Sequence, residues 1–154
     1  MYVTWAPEMA VDDGMIDDDH RTIIEIINDF IDLNDSAAGP DNLAQTLLKL
    51  GHYATVHFKR EELLQRQIRY PYAEAHGSQH QDIVKQLDMF RRRYFIRDAP
   101  REGLLPLQLD LRAFLRTWFL DHVIQSDLRM RPYSAFIRRW ESGRADLSRA
   151  VSMS

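Results

Sequence analysis

The sequence of 154 residues contains no cysteine, which excludes disulfide bonds, thiolate metal sites and cysteine nucleophiles. No run approaches the roughly 18 apolar residues that a membrane-spanning helix needs. The N-terminus lacks the basic and apolar regions of a secretory signal. No stretch alternates polar and apolar residues as a β-strand does. We therefore expect a cytoplasmic, strand-free protein without a membrane partner.

Basic residues are scarce in the first part of the chain and frequent in the last. Between Glu8 and Asp35 there are ten acidic residues and a single base, Arg21, whereas six arginines follow Asp127. The net charge is −3, and an acidic chain of this kind is a poor candidate for binding nucleic acid. We expect no nucleic-acid partner, and the arginine-rich end is a candidate for contacts with a protein.

Apolar residues recur with helical spacing in four stretches of the chain. These stretches predict helices at about residues 17–33, 42–68, 72–93 and 106–127. A turn at 34–40 separates the first predicted helix from the second, and a looser segment at 97–104 separates the third from the fourth. The predicted fold is therefore all-α, an up-down-up-down four-helix bundle.

The predicted domain organisation places the bundle in the middle of the chain. Residues 1–16 form an N-terminal arm, residues 17–127 the bundle, and residues 128–154 a C-terminal extension. The extension contains the sequence YSAFIRRW, which is a candidate short helix. It belongs to the bundle only if it packs against it.

Five of the six histidines fall on the apolar stripes of the four predicted helices. His57 and Glu61 are four residues apart, so their side chains project from one face of a helix. His76 and His80 have the same spacing, while His20 and His122 lie on the first and fourth helices. Asp127 follows His122 by five residues, a step of about 140° on an ideal α-helix. The two can serve one centre if Asp127 lies at the helix end.

A single histidine on an apolar helix face is more often a hydrogen-bonded core residue than a metal ligand. Five imidazoles and two carboxylates in one small core are different, because their desolvation needs compensation, and bound metal is the simplest source. Imidazole and carboxylate ligands without thiolate suit iron, manganese or zinc, and a set this large suits two ions. If Glu61 and Asp127 bridge the ions together with a solvent oxygen, one ion has a free coordination position.

The order and spacing of these residues resemble the hemerythrins, specifically the bacterial hemerythrin-like group, from about Trp5 to Asp127. The matching stretches are GMIDDDH (14–20), HFKREE (57–62), Tyr70-Pro71, HGSQH (76–80) and WFLDHVIQSD (118–127). The resemblance implies a non-haem pair of iron ions with an oxo or hydroxo bridge.

The resemblance also implies which residues hold which ion. His76, His80 and His122 would hold one iron, His20 and His57 the other, and Glu61 and Asp127 would bridge them. In the family, dioxygen binds reversibly to the five-coordinate iron and is held there as hydroperoxide. Four apolar residues match the family's dioxygen pocket: Ile23, Phe58, Trp118 and Ile124. The alternative for these four is an ordinary place in the core.

Three functions follow from this site, in decreasing order of preference. The first is an oxygen carrier, used for storage or delivery. The second is an oxygen or redox sensor that acts through the C-terminal extension, where Phe136, Ile137 and Trp140 would anchor a separate protein or a second copy. The third is reduction of peroxide or nitric oxide. We expect a protein that is not an enzyme.

Overall fold

A computed structural model describes residues 2–35, 40–95 and 104–153, although the side chains of 33–35, 40–42 and 104 are not described. Within these ranges the chain is helical and contains no strand. The four long helices are α1 (Met15–Asp35), α2 (Pro40–Gln67), α3 (Ala73–Phe95) and α4 (Leu104–Trp118). The predicted turn at 34–40 and the looser segment at 97–104 lie mostly outside the described residues. None of the described helices is long and apolar enough to cross a membrane.

Each long helix packs against the next one along the chain, and α4 returns to contact α1. This arrangement confirms the predicted four-helix bundle. The helices form because their apolar residues recur on one side, which buries them against each other. The arm before α1 lies along that helix, where the Asn28 side chain bonds both the N–H and the carbonyl of Val3.

The end of the fourth helix differs from the prediction, which continued it as a regular helix to Asp127. Regular α4 ends at Trp118, and residues Phe119–Ile124 form a π-helix. A 3-10 helix, Asp127–Tyr133, follows and leads directly into α5, Ser134–Ser152. The predicted short helix in the tail is therefore real but much longer than YSAFIRRW.

The buried apolar residues form two clusters. The larger one fills the bundle and includes Ile23, Phe58 and Trp118. The smaller one joins the arm and the start of α1 to the C-terminal part of the chain, through buried Met130 and Ile137. Since Ile137 and the partly buried Trp140 pack inside the molecule, only Phe136 of the three expected tail anchors is largely exposed.

Candidate metal centre

The structure brings together the seven polar residues that the sequence singled out. Each is at least 95% buried, with Asp127, Glu61 and His20 fully buried. They come from α1, α2 and α3, from the π-helix that follows α4, and from the first position of the 3-10 helix. His52, the sixth histidine, is exposed on α2 and takes no part.

Asp127 directs its two carboxylate oxygens to different histidines. Its Oδ2 lies 3.0 Å from the Nε2 atom of His20. Its Oδ1 lies 3.0 Å from Nε2 of His76 and 3.1 Å from Nε2 of His122. One carboxylate therefore faces histidines of three different elements, which is the arrangement that a bridging ligand needs.

Glu61 occupies a similar position on α2. Its Oε2 lies 3.1 Å from Nε2 of His80 and 3.4 Å from Nε2 of His76. The Nε2 atom of His57, one turn earlier on the same helix, is 3.6 Å away. Glu61 thus stands between the histidines of α2 and those of α3.

Among the described residues, the potential ligand atoms fall into two overlapping groups. One consists of His76, His80 and His122 with both carboxylates, and the other of His20 and His57 with the same two carboxylates. Within each group the atoms lie within 4.8 Å of one another. The two groups share Glu61 and Asp127, and each contains the imidazole and carboxylate ligands that bind metal ions.

The chemistry of these side chains fits bound cations. Two of the buried atoms that face the centre of the cluster, Nε2 of His57 and Oε1 of Glu61, have no hydrogen-bond partner. Unpaired buried polar atoms are costly, and metal coordination would satisfy both.

The charges of the cluster point the same way. Burial by itself would raise the pKa values of Glu61 and Asp127, but the surrounding imidazoles lower both, so the carboxylates stay ionised. Burial by itself would lower the pKa of His76, yet its bonds to Asp127 and Glu61 raise it to about 10. The two negative charges therefore recruit a proton when no metal is present, and a metal ion would take its place.

The π-helix explains how His122 and Asp127 meet. An α-helix would turn their side chains about 140° apart, as the sequence indicated. A π-helix is wider, and it closes a hydrogen-bonded turn over five residues rather than four. Together with the change to a 3-10 helix at Asp127, it brings both side chains to the same point.

Two further carboxylates contact the outer ring nitrogens of two of these histidines. Neither was among the predicted site residues. Asp19 lies 3.2 Å from Nδ1 of His57 and accepts a 2.5 Å bond from Arg60. Glu62 lies 3.0 Å from Nδ1 of His80. Such partners fix the ring orientation of a metal-ligating histidine and increase its basicity. The one feature of the sequence that points to them is that each is next to a predicted ligand, Asp19 before His20 and Glu62 after Glu61.

Apolar side chains close one side of the cluster. Phe58 stacks on His80 with 4.0 Å between ring centroids, and it meets Trp118 edge-on at 6.2 Å. Ile23 is also buried, in the larger apolar cluster that contains Phe58 and Trp118. The fourth predicted pocket residue, Ile124, is not brought to this wall. Ile124 is 39% exposed, while its neighbour Val123 is buried.

Comparison with known proteins agrees with this geometry. Residues 12–133 match the family model described as "Hemerythrin HHE cation binding domain". The chain is 27% identical over 128 residues to a bacteriohemerythrin of Methylococcus capsulatus, covering 81% of this chain and 91% of that protein. It is 26% identical over 126 residues to a bacteriohemerythrin of Clostridium acetobutylicum, covering 80% and 94%. A bacteriohemerythrin of Pseudomonas aeruginosa is 23% identical over 128 residues, covering 82% and 77%.

The matched region includes all seven residues of the cluster and begins where the arm meets α1. A family model that spans most of the chain is a stronger link than any single relative at these identities. The chain belongs to the hemerythrin family.

Proposed function

We propose that this protein binds dioxygen reversibly at a pair of iron ions and serves as an oxygen carrier. The observation that supports this most directly is the pair of histidine groups that share Glu61 and Asp127. A site of three histidines beside a site of two, with common carboxylates, is asymmetric by construction. The less crowded position has room for a small ligand.

In this proposal His76, His80 and His122 hold one iron, and His20 and His57 hold the other. Glu61 and Asp127 bridge the two. The irons would supply the electrons that make dioxygen binding possible. The protein's part is to hold five neutral imidazoles in place, with Asp19 and Glu62 as hydrogen-bond partners behind two of them.

The apolar wall favours a carrier over a site that turns dioxygen over. Water and protons promote loss of reduced oxygen species from such a centre. Phe58, Trp118 and Ile23 are all at least 95% buried, so they would limit access of water to the ligands. Oxygen binding without catalysis is also the function consistent with the hemerythrin family.

A sensor is the second candidate, and one feature favours it. Asp127 is the first residue of the 3-10 helix that continues into α5 without an intervening loop. A shift of the bridging carboxylate would therefore act directly on the C-terminal helix. In that case α5 would change its contacts with a protein partner or a second copy when the irons bind oxygen or become oxidised.

The deciding experiment is iron analysis combined with visible spectroscopy. The protein is reduced without air, exposed to dioxygen and then returned to vacuum. About two irons per chain and a charge-transfer band that appears and disappears with dioxygen would establish the carrier chemistry. Immediate irreversible oxidation of a fully loaded protein would favour the sensor, and a folded protein that holds no metal would refute both.

A further inference from the structure

The C-terminal helix α5 meets the beginning of α1 at two carboxyl groups. Glu141 of α5 is half-buried, whereas Asp12, just before α1, is fully buried. Their side chains are hydrogen-bonded to each other. Gly14 lies directly beneath them, and a Cβ atom there would be only 2.6 Å from Oε2 of Glu141. A side chain at position 14 would therefore displace the Glu141 carboxyl group from this place.

Both carboxyl groups also cap the first turn of α1. Asp12 accepts bonds from the N–H groups of Gly14, Ile16 and Asp17, and Glu141 accepts one from the N–H of Met15. These are donors that a helix start leaves unpaired. A residue of α5 thus completes the cap of the helix that carries His20.

Two ionised carboxylates in hydrogen-bond contact repel each other unless a proton lies between them. We propose that Glu141 and Asp12 share one proton, and that this shared proton fastens α5 to the beginning of α1. When the proton leaves, the two negative charges push the elements apart. We call this pH-dependent contact between Asp12 and Glu141 the clasp.

The groups that most affect the pKa of Glu141 include no cation, and Arg138, one turn earlier on α5, forms no ion pair with it among the described residues. Asp17 adds a further negative charge. Of the nearby cations, Arg131 donates to the carbonyl oxygens of Glu8 and Ala10, and Arg144 lies over the ring of Trp140. In agreement with this, burial and the contact with Asp12 raise the pKa of Glu141 to about 8.

The direction of the pH effect follows from proton linkage. Once α5 has detached, Glu141 returns to its ordinary pKa of 4.5. The attached state therefore binds more protons over the range from 4.5 to about 8, and attachment weakens as pH rises through that range. Above about pH 8 the shared proton no longer contributes to the attachment of α5.

Hydrogen–deuterium exchange of residues 134–141 in the full-length, iron-loaded protein tests the clasp. The matched variant is Glu141→Gln, which keeps a hydrogen bond to Asp12 but cannot titrate. Comparison of both proteins at the same pH removes the intrinsic pH dependence of exchange. From pH 6.5 to 9.0 we expect protection of the native protein to fall on the order of tenfold relative to the variant. An unchanged ratio, or a detached α5 in the variant at pH 6.5, would overturn the proposal.

A second pair of variants tests the contact without changing pH. Gly14→Ala should loosen residues 134–141 at both pH values, because the new methyl group displaces Glu141. The same substitution should have no added effect in a Glu141→Ala background, where the obstructed carboxylate is gone. Full protection in the Gly14→Ala protein would show that α5 stays attached when the Glu141 carboxyl group is displaced, and it would overturn the clasp.

Discussion

At the scale of single residues, His122 carries the clearest prediction about the metal centre. His122→Ala removes one imidazole from the group of three and leaves Oδ1 of Asp127 without one of its neighbours. We expect iron content to fall well below about two per chain. The control is His52→Ala, because His52 is exposed on α2. Iron analysis after identical loading should separate the two variants, and full iron in His122→Ala would contradict the ligand assignment.

Asp19 offers a test of the residues behind the ligands. Asp19→Asn keeps the size of the side chain but removes the charge next to Nδ1 of His57. Loss of such a partner typically lowers metal affinity about 10–100-fold. The neighbouring substitution Asp18→Asn provides the control, since the side chain of Asp18 is 75% exposed. Equal iron affinities, measured by competition with a chelator, would mean that Asp19 only stabilises the fold.

Trp118 tests whether the apolar wall keeps the site dry. Trp118→Ala opens a cavity beside Phe58 and should admit water, so oxidation of the oxygenated protein should become several-fold faster. A truncation of this size in a core costs about 3–5 kcal/mol, which makes a check of helicity by circular dichroism necessary. Ile124→Ala is the matched control at the exposed position of the same segment. If both variants decay at the native rate at fixed pH, Trp118 does not protect the site.

The seven clustered residues were predictable because helical spacing is visible in the sequence. His57 with Glu61 and His76 with His80 lie on single faces whatever their surroundings. The supporting partners were not predictable in the same way. Asp19 bonds a histidine 38 residues away, and that choice depends on which helices are neighbours and how they are rotated.

At the scale of helices, the C-terminal extension can be divided into a packed and an exposed part. Met130 and Ile137 are fully buried, whereas every described side chain from Ser142 onward is exposed. We expect deletion of residues 143–154 to leave iron content, thermal stability and the dioxygen affinity of a carrier unchanged. In a sensor the same deletion should abolish partner binding or an oxidation-dependent change of oligomer size, as measured by analytical ultracentrifugation.

A longer deletion, beginning at Leu128, serves as the contrast. It removes the two buried side chains, each worth about 2–5 kcal/mol by analogy with truncations to alanine, and uncovers Leu64 and Tyr70 of the same cluster. Loss of stability in this variant would report packing rather than signalling. A melting temperature equal to that of the native protein would contradict the placement of Met130 and Ile137.

The π-helix marks the limit of prediction for local structure. Its apolar residues Phe119 and Val123 are four apart, as they would be in an α-helix, so periodicity does not distinguish the two. The only sequence signal was the awkward step of five residues from His122 to Asp127. The length of α5 was equally hidden, because its outer half has no buried face to produce a pattern.

At the scale of the whole molecule, the four-helix bundle was predictable, whereas the packing of the N-terminal arm against the C-terminal part of the chain was not. Four apolar stripes and an absence of strand patterns were sufficient for the architecture. The smaller cluster joins Val11 of the arm to Ile137 of α5, and such contacts between distant parts of the chain leave no periodic trace. The metal cluster lies between the two cores, since His20 stands between Ile16 of the smaller cluster and Ile23 of the larger one.

The contact of His20 with Asp127 spans 107 positions of the chain, and this has a consequence for synthesis. A ribosome adds residues from the N-terminus, at about 5–20 per second, so Asp127 becomes available last of the seven. Until then the growing chain offers histidines but only one of the two shared carboxylates. A half-made protein therefore cannot assemble the pair of ligand groups that share Glu61 and Asp127.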